Sequence, residues 1–188
     1  MISAILVGLA VYYYGKQLHT YQNIFYSLAL ILTILGYILE IKPIVNGEFA
    51  MGLWLLVIFA GALNPKWKIT RQLRMVRKEL SIIGFLLIVS HGLFYFIEGD
   101  FEIAGIIAIV LMFPLTVISF NIIRKKMTNK LWKNIQKIAY LIYALVFIHL
   151  IVVGEFIYLS VAIVYLYLKI KNILSKHTTF IKSKESIV

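Results

Sequence analysis

The stretch that decides the fold is RKELSIIGFLLIVSHGLFYFIE, residues 77–98. From Leu80 to Ile97 it holds no Asp, Glu, Lys or Arg. As a helix those residues rise about 27 Å, close to the ~30 Å hydrocarbon core of a bilayer. In lipid only a helix or a closed barrel satisfies its own backbone groups. A barrel strand alternates apolar and polar residues, whereas this run is apolar on every side. It reads as a transmembrane helix that carries one ionisable ring, His91.

Working outward, the same pattern recurs along nearly the whole chain. Apolar segments fall at about 2–15, 23–41, 49–64, 80–97, 103–123, 135–153 and 156–170, separated by short charged clusters. The first and third are short for a span. The 188 residues are 62% hydrophobic and 14% charged, too apolar for a soluble core, where about 45–50% is usual. The expectation is an all-α, polytopic transmembrane bundle of six to seven spans: one domain over 1–172 and a basic cytoplasmic tail over 173–188. The N-terminal segment has no basic leader, and Tyr12, Tyr13 and Tyr14 stand where small residues would precede a cleavage site, so it reads as a first span. With no cysteine, disulfides and thiolate-held clusters are excluded.

Charge sets the expected orientation. Lys16, the loop bases Lys66 to Lys78, those from Arg124 to Lys137 and the tail put 18 of 19 basic residues on one face, leaving Lys42 on the other. Glu40, Glu48, Glu98, Asp100, Glu102 and Glu155 fall on that opposite face. By the positive-inside rule the basic face is cytoplasmic, giving an outside N-terminus and an inside C-terminus. The net charge of +11 is spread over juxtamembrane loops, which suits anionic lipid and not a nucleic-acid partner.

His149 repeats the situation of His91. His91 lies 14 residues beyond Arg77 and 7 before Glu98; His149 lies 12 beyond Lys137 and 6 before Glu155. Both helices run outward, so both rings arrive about 10 Å below the outer end of their helix. Ionisable side chains in hydrocarbon are costly and need a partner. Two neutral imidazoles facing each other across a bundle suit a metal, and in a membrane bundle a haem iron. The bland alternative is that each ring hydrogen-bonds a nearby backbone carbonyl. Gly84, two turns before His91, lies on the same helical face, where a flat macrocycle could pack. His19 and His177 fall in a loop and in the tail, and read as solvated.

The stretch from about 52 to 171 resembles the ferric-reductase-like transmembrane domain, most closely the haem-binding membrane subunit (MsrQ type) of the bacterial periplasmic methionine sulfoxide reductase system. Arg77-Lys78 with Leu80, then Phe85 and His91, follows its R-R-x-L-G, F and His pattern. Trp132, Ile135-Gln136 and Tyr140 follow W-x-x-L-H-x-x-x-Y, and His149 stands thirteen residues after Gln136. Departures are Ser81 for the glycine after the basic pair, Gln136 for a histidine, and Ser119-Phe120 for Thr-Ser. The resemblance implies that His91 and His149 are axial ligands of a b haem that carries electrons across the membrane. An amide is a poor ligand for haem iron, so Gln136 implies one haem on the outer side and weighs against a second nearer the cytoplasm.

The resemblance further implies a cytoplasmic flavin reductase or the quinol pool as donor, and an extracytoplasmic reductase, one acting on methionine sulfoxide, as acceptor. Arg77 and Lys78, with Arg74, stand where the phosphate of a flavin mononucleotide or a quinone would lie in the inner half. No nicotinamide-binding glycine motif is present, so the chain reads as the electron-transfer subunit of an oxidoreductase system. Two alternatives remain at this level: a ferric or other metal reductase component, and a small non-redox transporter or assembly protein in which the histidines are polar glue. Pro114 is a kink candidate in the fifth segment.

Overall fold

The computed structural model describes residues 2–185, with side chains through 174. The described residues form helices and connecting turns, with no strand among them. Eleven helices follow in order: α1 (Ile2–Thr20), α2 (Gln22–Ile38), α3 (Lys42–Val45), α4 (Glu48–Phe59), α5 (Lys68–Met75), α6 (Arg77–Glu98), α7 (Ile103–Val117), α8 (Asn121–Arg124), α9 (Asn129–Ile135), α10 (Ile138–Val152) and α11 (Ile157–Glu185). Each of the seven apolar segments corresponds to a helix. The tail from 173 continues α11 as far as Glu185.

Three stretches are long and apolar enough to cross a bilayer: Arg77–Glu98, Asn129–Val152 and Ile157–Leu174. α1 and α2, bent by 107° at their junction, add a fourth if taken together. α4 has 12 residues and α7 has 15, about 18 and 22 Å of rise, less than the ~30 Å hydrocarbon core. Pro114 sits inside α7 without ending it.

Side-chain contacts show how the segments run. At one end, Ser3 Oγ donates to the Glu48 carbonyl at the start of α4 (3.0 Å), and Tyr95 near the end of α6 reaches Asn46 (3.4 Å). At the other end, His19 meets Glu79 at the start of α6, Arg74 donates to the Ala60 carbonyl after α4 (3.0 Å), and Asn172 of α11 reaches the Ala62 carbonyl. Lys78 there reaches Asn121 beyond α7 (3.1 Å), and Arg77 reaches Tyr143 of α10 (3.0 Å). These contacts gather the start of α1 with the start of α4 and the end of α6 at one end, and the end of α1 with the start of α6 and Asn172 of α11 at the other.

α6 is central. It packs against α2, α3, α4 and α7, and its residues Leu80, Ile82, Gly84, Phe85, Leu87 and Ser90 are buried. Trp54, Phe85, Met112, Leu115, Ile142 and Tyr143 form the larger core cluster, joining α4, α6, α7 and α10. Small residues allow the close crossings, as membrane packing requires. A Cβ on Gly52 would lie 2.9 Å from the Ala4 backbone nitrogen, and one on Gly36 would lie 2.5 Å from Ile44 Cγ2. Many other large apolar side chains face outward: Leu28, Ile31, Leu35, Val110, Phe113, Ile163 and Leu166 are all exposed. That is the surface of a bundle solvated by lipid.

His19 lies in the last turn of α1, not in a loop; its side chain is half exposed, and its Nδ1 stands 2.9 Å from Glu79 Oε1. Within the basic stretch after α4, Lys68–Met75 forms the amphipathic helix α5, with Thr70 and Leu73 buried and its arginines exposed. His177 lies outside the residues whose side chains are described.

Candidate cofactor site

His91 is on α6 and His149 is in the last turn of α10, two helices with no sequence proximity. Their ring centroids stand 6.2 Å apart, with the planes inclined by 74°. Two imidazoles bound through nitrogen on opposite sides of one metal atom, with metal–nitrogen bonds of about 2.0–2.1 Å, have centroids about 6.4 Å apart. Ordinary ring packing covers about 4.5–7 Å, so the separation by itself does not discriminate. The hydrogen bonds carry more.

His91 Nδ1 lies 2.7 Å from the Val45 carbonyl oxygen. A carbonyl can only accept, so Nδ1 carries the proton and Nε2 of the neutral ring keeps its lone pair. His149 Nδ1 lies 3.1 Å from Glu102 Oε2. The carboxylate fixes the same tautomer there. Metal-ligating histidines almost always donate their other N–H in this way, to a carbonyl or a carboxylate. The bland reading of a histidine bound to a carbonyl thus holds for His91 Nδ1, and it leaves Nε2 as a ligand. The donor set fits a metal gripped by two imidazoles. No group of three or more His, Cys, Asp or Glu able to hold a metal ion occurs among the described residues.

The chain positions each ring with a glycine. Gly47, at φ 74°, turns the chain from α3 into α4, and a Cβ there would sit 3.2 Å from His91 Nδ1. This left-handed conformation suits glycine because a Cβ would clash with the backbone. A Cβ on Gly105 in the first turn of α7 would come within 2.9 Å of His149 Nδ1. Tyr95 packs against His91 with centroids 5.0 Å apart. Gly84, expected to face a macrocycle, instead receives the Trp54 indole: a Cβ there would lie 2.9 Å from Trp54 Nε1. The sequence offers several glycines near the histidines in depth. Only the tertiary contacts tell which of them abuts a ring.

Glu102 does two jobs. It is the N-cap of α7, its Oε2 accepting the Gly105 N–H at 2.9 Å, and the same oxygen receives His149. Burial raises its carboxyl pKa, but the N–H groups of Ala104 and Gly105 together with His149 outweigh that and hold it below the ordinary value. Glutamate is not among the favoured N-cap residues, so neither this cap nor its reach to a histidine 47 residues on had a signal in the sequence.

At the other end of α6, the basic residues meet partners inside the protein. Lys78 Nζ contacts Glu79 Oε1 (3.1 Å), Gln22 Oε1 (2.8 Å) and Asn121; Arg77 donates to Tyr143 Oη and Arg74 to a carbonyl. Glu79 is fully buried. These contacts place Arg77 and Lys78 in the seam between helices, about 21 Å along α6 from His91. Gln136 caps the C-terminal end of α9, near this same end and remote from the histidine pair.

No protein-family model matches the chain, and no solved structure matches it. It is 27% identical over 180 residues to an uncharacterized protein of Treponema pallidum (strain Nichols), a match that covers 80% of this chain. The chain spans about half the length of that curated relative.

Proposed function

We propose that this protein is a haem b electron-transfer component of a bacterial cytoplasmic membrane, with seven passes, its acidic end outside and its basic end in the cytoplasm. The contacts that gather helix ends at two opposite ends of the bundle support the topology, and the gathering of basic residues at one end supports the orientation. The observation that carries the functional reading is the histidine pair: two rings 6.2 Å apart, each with Nδ1 tied to an acceptor and Nε2 left to bind. The haem, when bound, supplies one-electron chemistry. The chain's own residues fix ring orientation through Val45 and Glu102 and pack Tyr95 against His91. Two strong nitrogen ligands leave no open coordination position, which favours electron relay over oxygen activation.

In this reading electrons pass from a donor at the basic end, a quinol or a cytoplasmic flavin reductase, to an extracytoplasmic acceptor that docks near Gly99 to Glu102. A methionine sulfoxide reductase is the acceptor class to which the motif resemblance points. Internal partners of Arg77 and Lys78 favour a structural role for these bases over the cradling of a flavin phosphate, so the quinol is the preferred donor. The test is to purify His91→Ala and His149→Ala variants from membranes. Both are expected to insert and to lose the low-spin b-type spectrum; an unchanged spectrum in either would overturn the ligand assignment.

A further inference from the structure

Deepening the haem reading, and resting on it, we propose that Glu102 is a positioning residue that lowers the reduction potential of the centre by acting through His149. The two rings differ in what holds them. His91 gives its Nδ1 proton to a neutral backbone carbonyl; His149 gives its own to a carboxylate. A carboxylate draws that proton harder, so the His149 ring gains imidazolate character and becomes the stronger electron donor. Stronger donation and a nearby negative charge both favour the oxidised, more positive metal.

The arrangement is built to keep that charge in place. Glu102 Oε2 is pinned by the Gly105 N–H at 2.9 Å as well as by His149, and the exposed N–H groups of a 15-residue helix stabilise an anion at this end. Gly105 lets the ring come close, since any side chain there would occupy its place. The Glu102 side chain is 23% exposed and that of His149 20%, so water screens the pair only in part. The consequence is directional: a centre biased toward giving its electron away at the outer face, beside the helix that carries the bias.

The experiment is a redox titration of the haem-loaded full chain and of its Glu102→Gln and Glu102→Asp variants, with haem per chain measured on each. Glu102→Gln keeps an acceptor for His149 and removes the charge. It is expected to stay low-spin and to raise the reduced-to-oxidised ratio at fixed ambient potential at least tenfold, a shift of about 59 mV for one electron. Glu102→Asp, which keeps the charge, is expected to titrate between the two. Loss of haem from Glu102→Gln but not from Glu102→Asp would equally support a requirement for the charge at His149. A Glu102→Gln protein that is less thermally stable yet titrates with the wild type would show a helix cap and nothing more, and would overturn the proposal. Wild-type protein without haem would instead overturn the reading on which it rests.

Discussion

Replacing Gly105 with alanine puts a carbon 2.9 Å from His149 Nδ1 and 3.0 Å from its Cε1, where unstrained contact needs about 3.5 Å or more. The ring must retreat by about 0.5 Å. Its bond to Glu102, now 3.1 Å, then stretches to about 3.6 Å, beyond useful hydrogen-bond range. Hydrogen bonds to charged groups contribute about 1.5–3 kcal/mol, and alanine returns up to about 1 kcal/mol through its better helix propensity. The net loss is about 0.5–3 kcal/mol, and His149 is released from its partner. Denaturant unfolding in detergent gives the first quantity; haem retained per chain gives the second. A Gly105→Ala protein that is more stable than wild type and carries full haem would refute the reasoning, because the ring would then be free to move without consequence.

Other perturbations test other parts of the account. Glu79→Ala removes a fully buried carboxylate from between His19 and Lys78; because both partners can turn toward water, the expected loss is about 1–3 kcal/mol, below that of a wholly buried pair. Unfolding midpoints would check it, and no change would mean that the cluster contributes nothing. Gly36→Ala forces a carbon onto Ile44 and should cost about 1–3 kcal/mol through overpacking, with Ile44→Ala recovering part of that in the double variant. Reporter insertions at 65 and at 100 should give cytoplasmic and extracytoplasmic signals respectively; the reverse, or the same side for both, would break the proposed topology.

Much of this fold was legible because lipid imposes local rules. Leu80–Ile97 and the apolar core of α10 must be helices wherever they sit, and the flanking charges of Arg77, Lys137 and Glu98 mark their ends. The depth of His91 and His149 followed from counting residues along rigid rods, and the structure brings the rings together. Features that depend on contact across the chain were not legible. The Val45 carbonyl became a partner of His91 only because Gly47 turns α4 back along α6; Glu102 met His149 because α7 packs on α10; Gly84 went to Trp54 because α4 crosses there. The oblique junction of α1 and α2 and the contact of His19 with the buried Glu79 likewise depend on how α1 lies against the rest of the chain.

The central claim is that one iron porphyrin is held between His91 and His149. A pyridine haemochrome assay on the purified wild-type chain, read together with its reduced absorption spectrum, tests it most directly. The account expects one b haem per chain in a low-spin, six-coordinate state; a colourless protein, or a haem that is high-spin and five-coordinate, would contradict it.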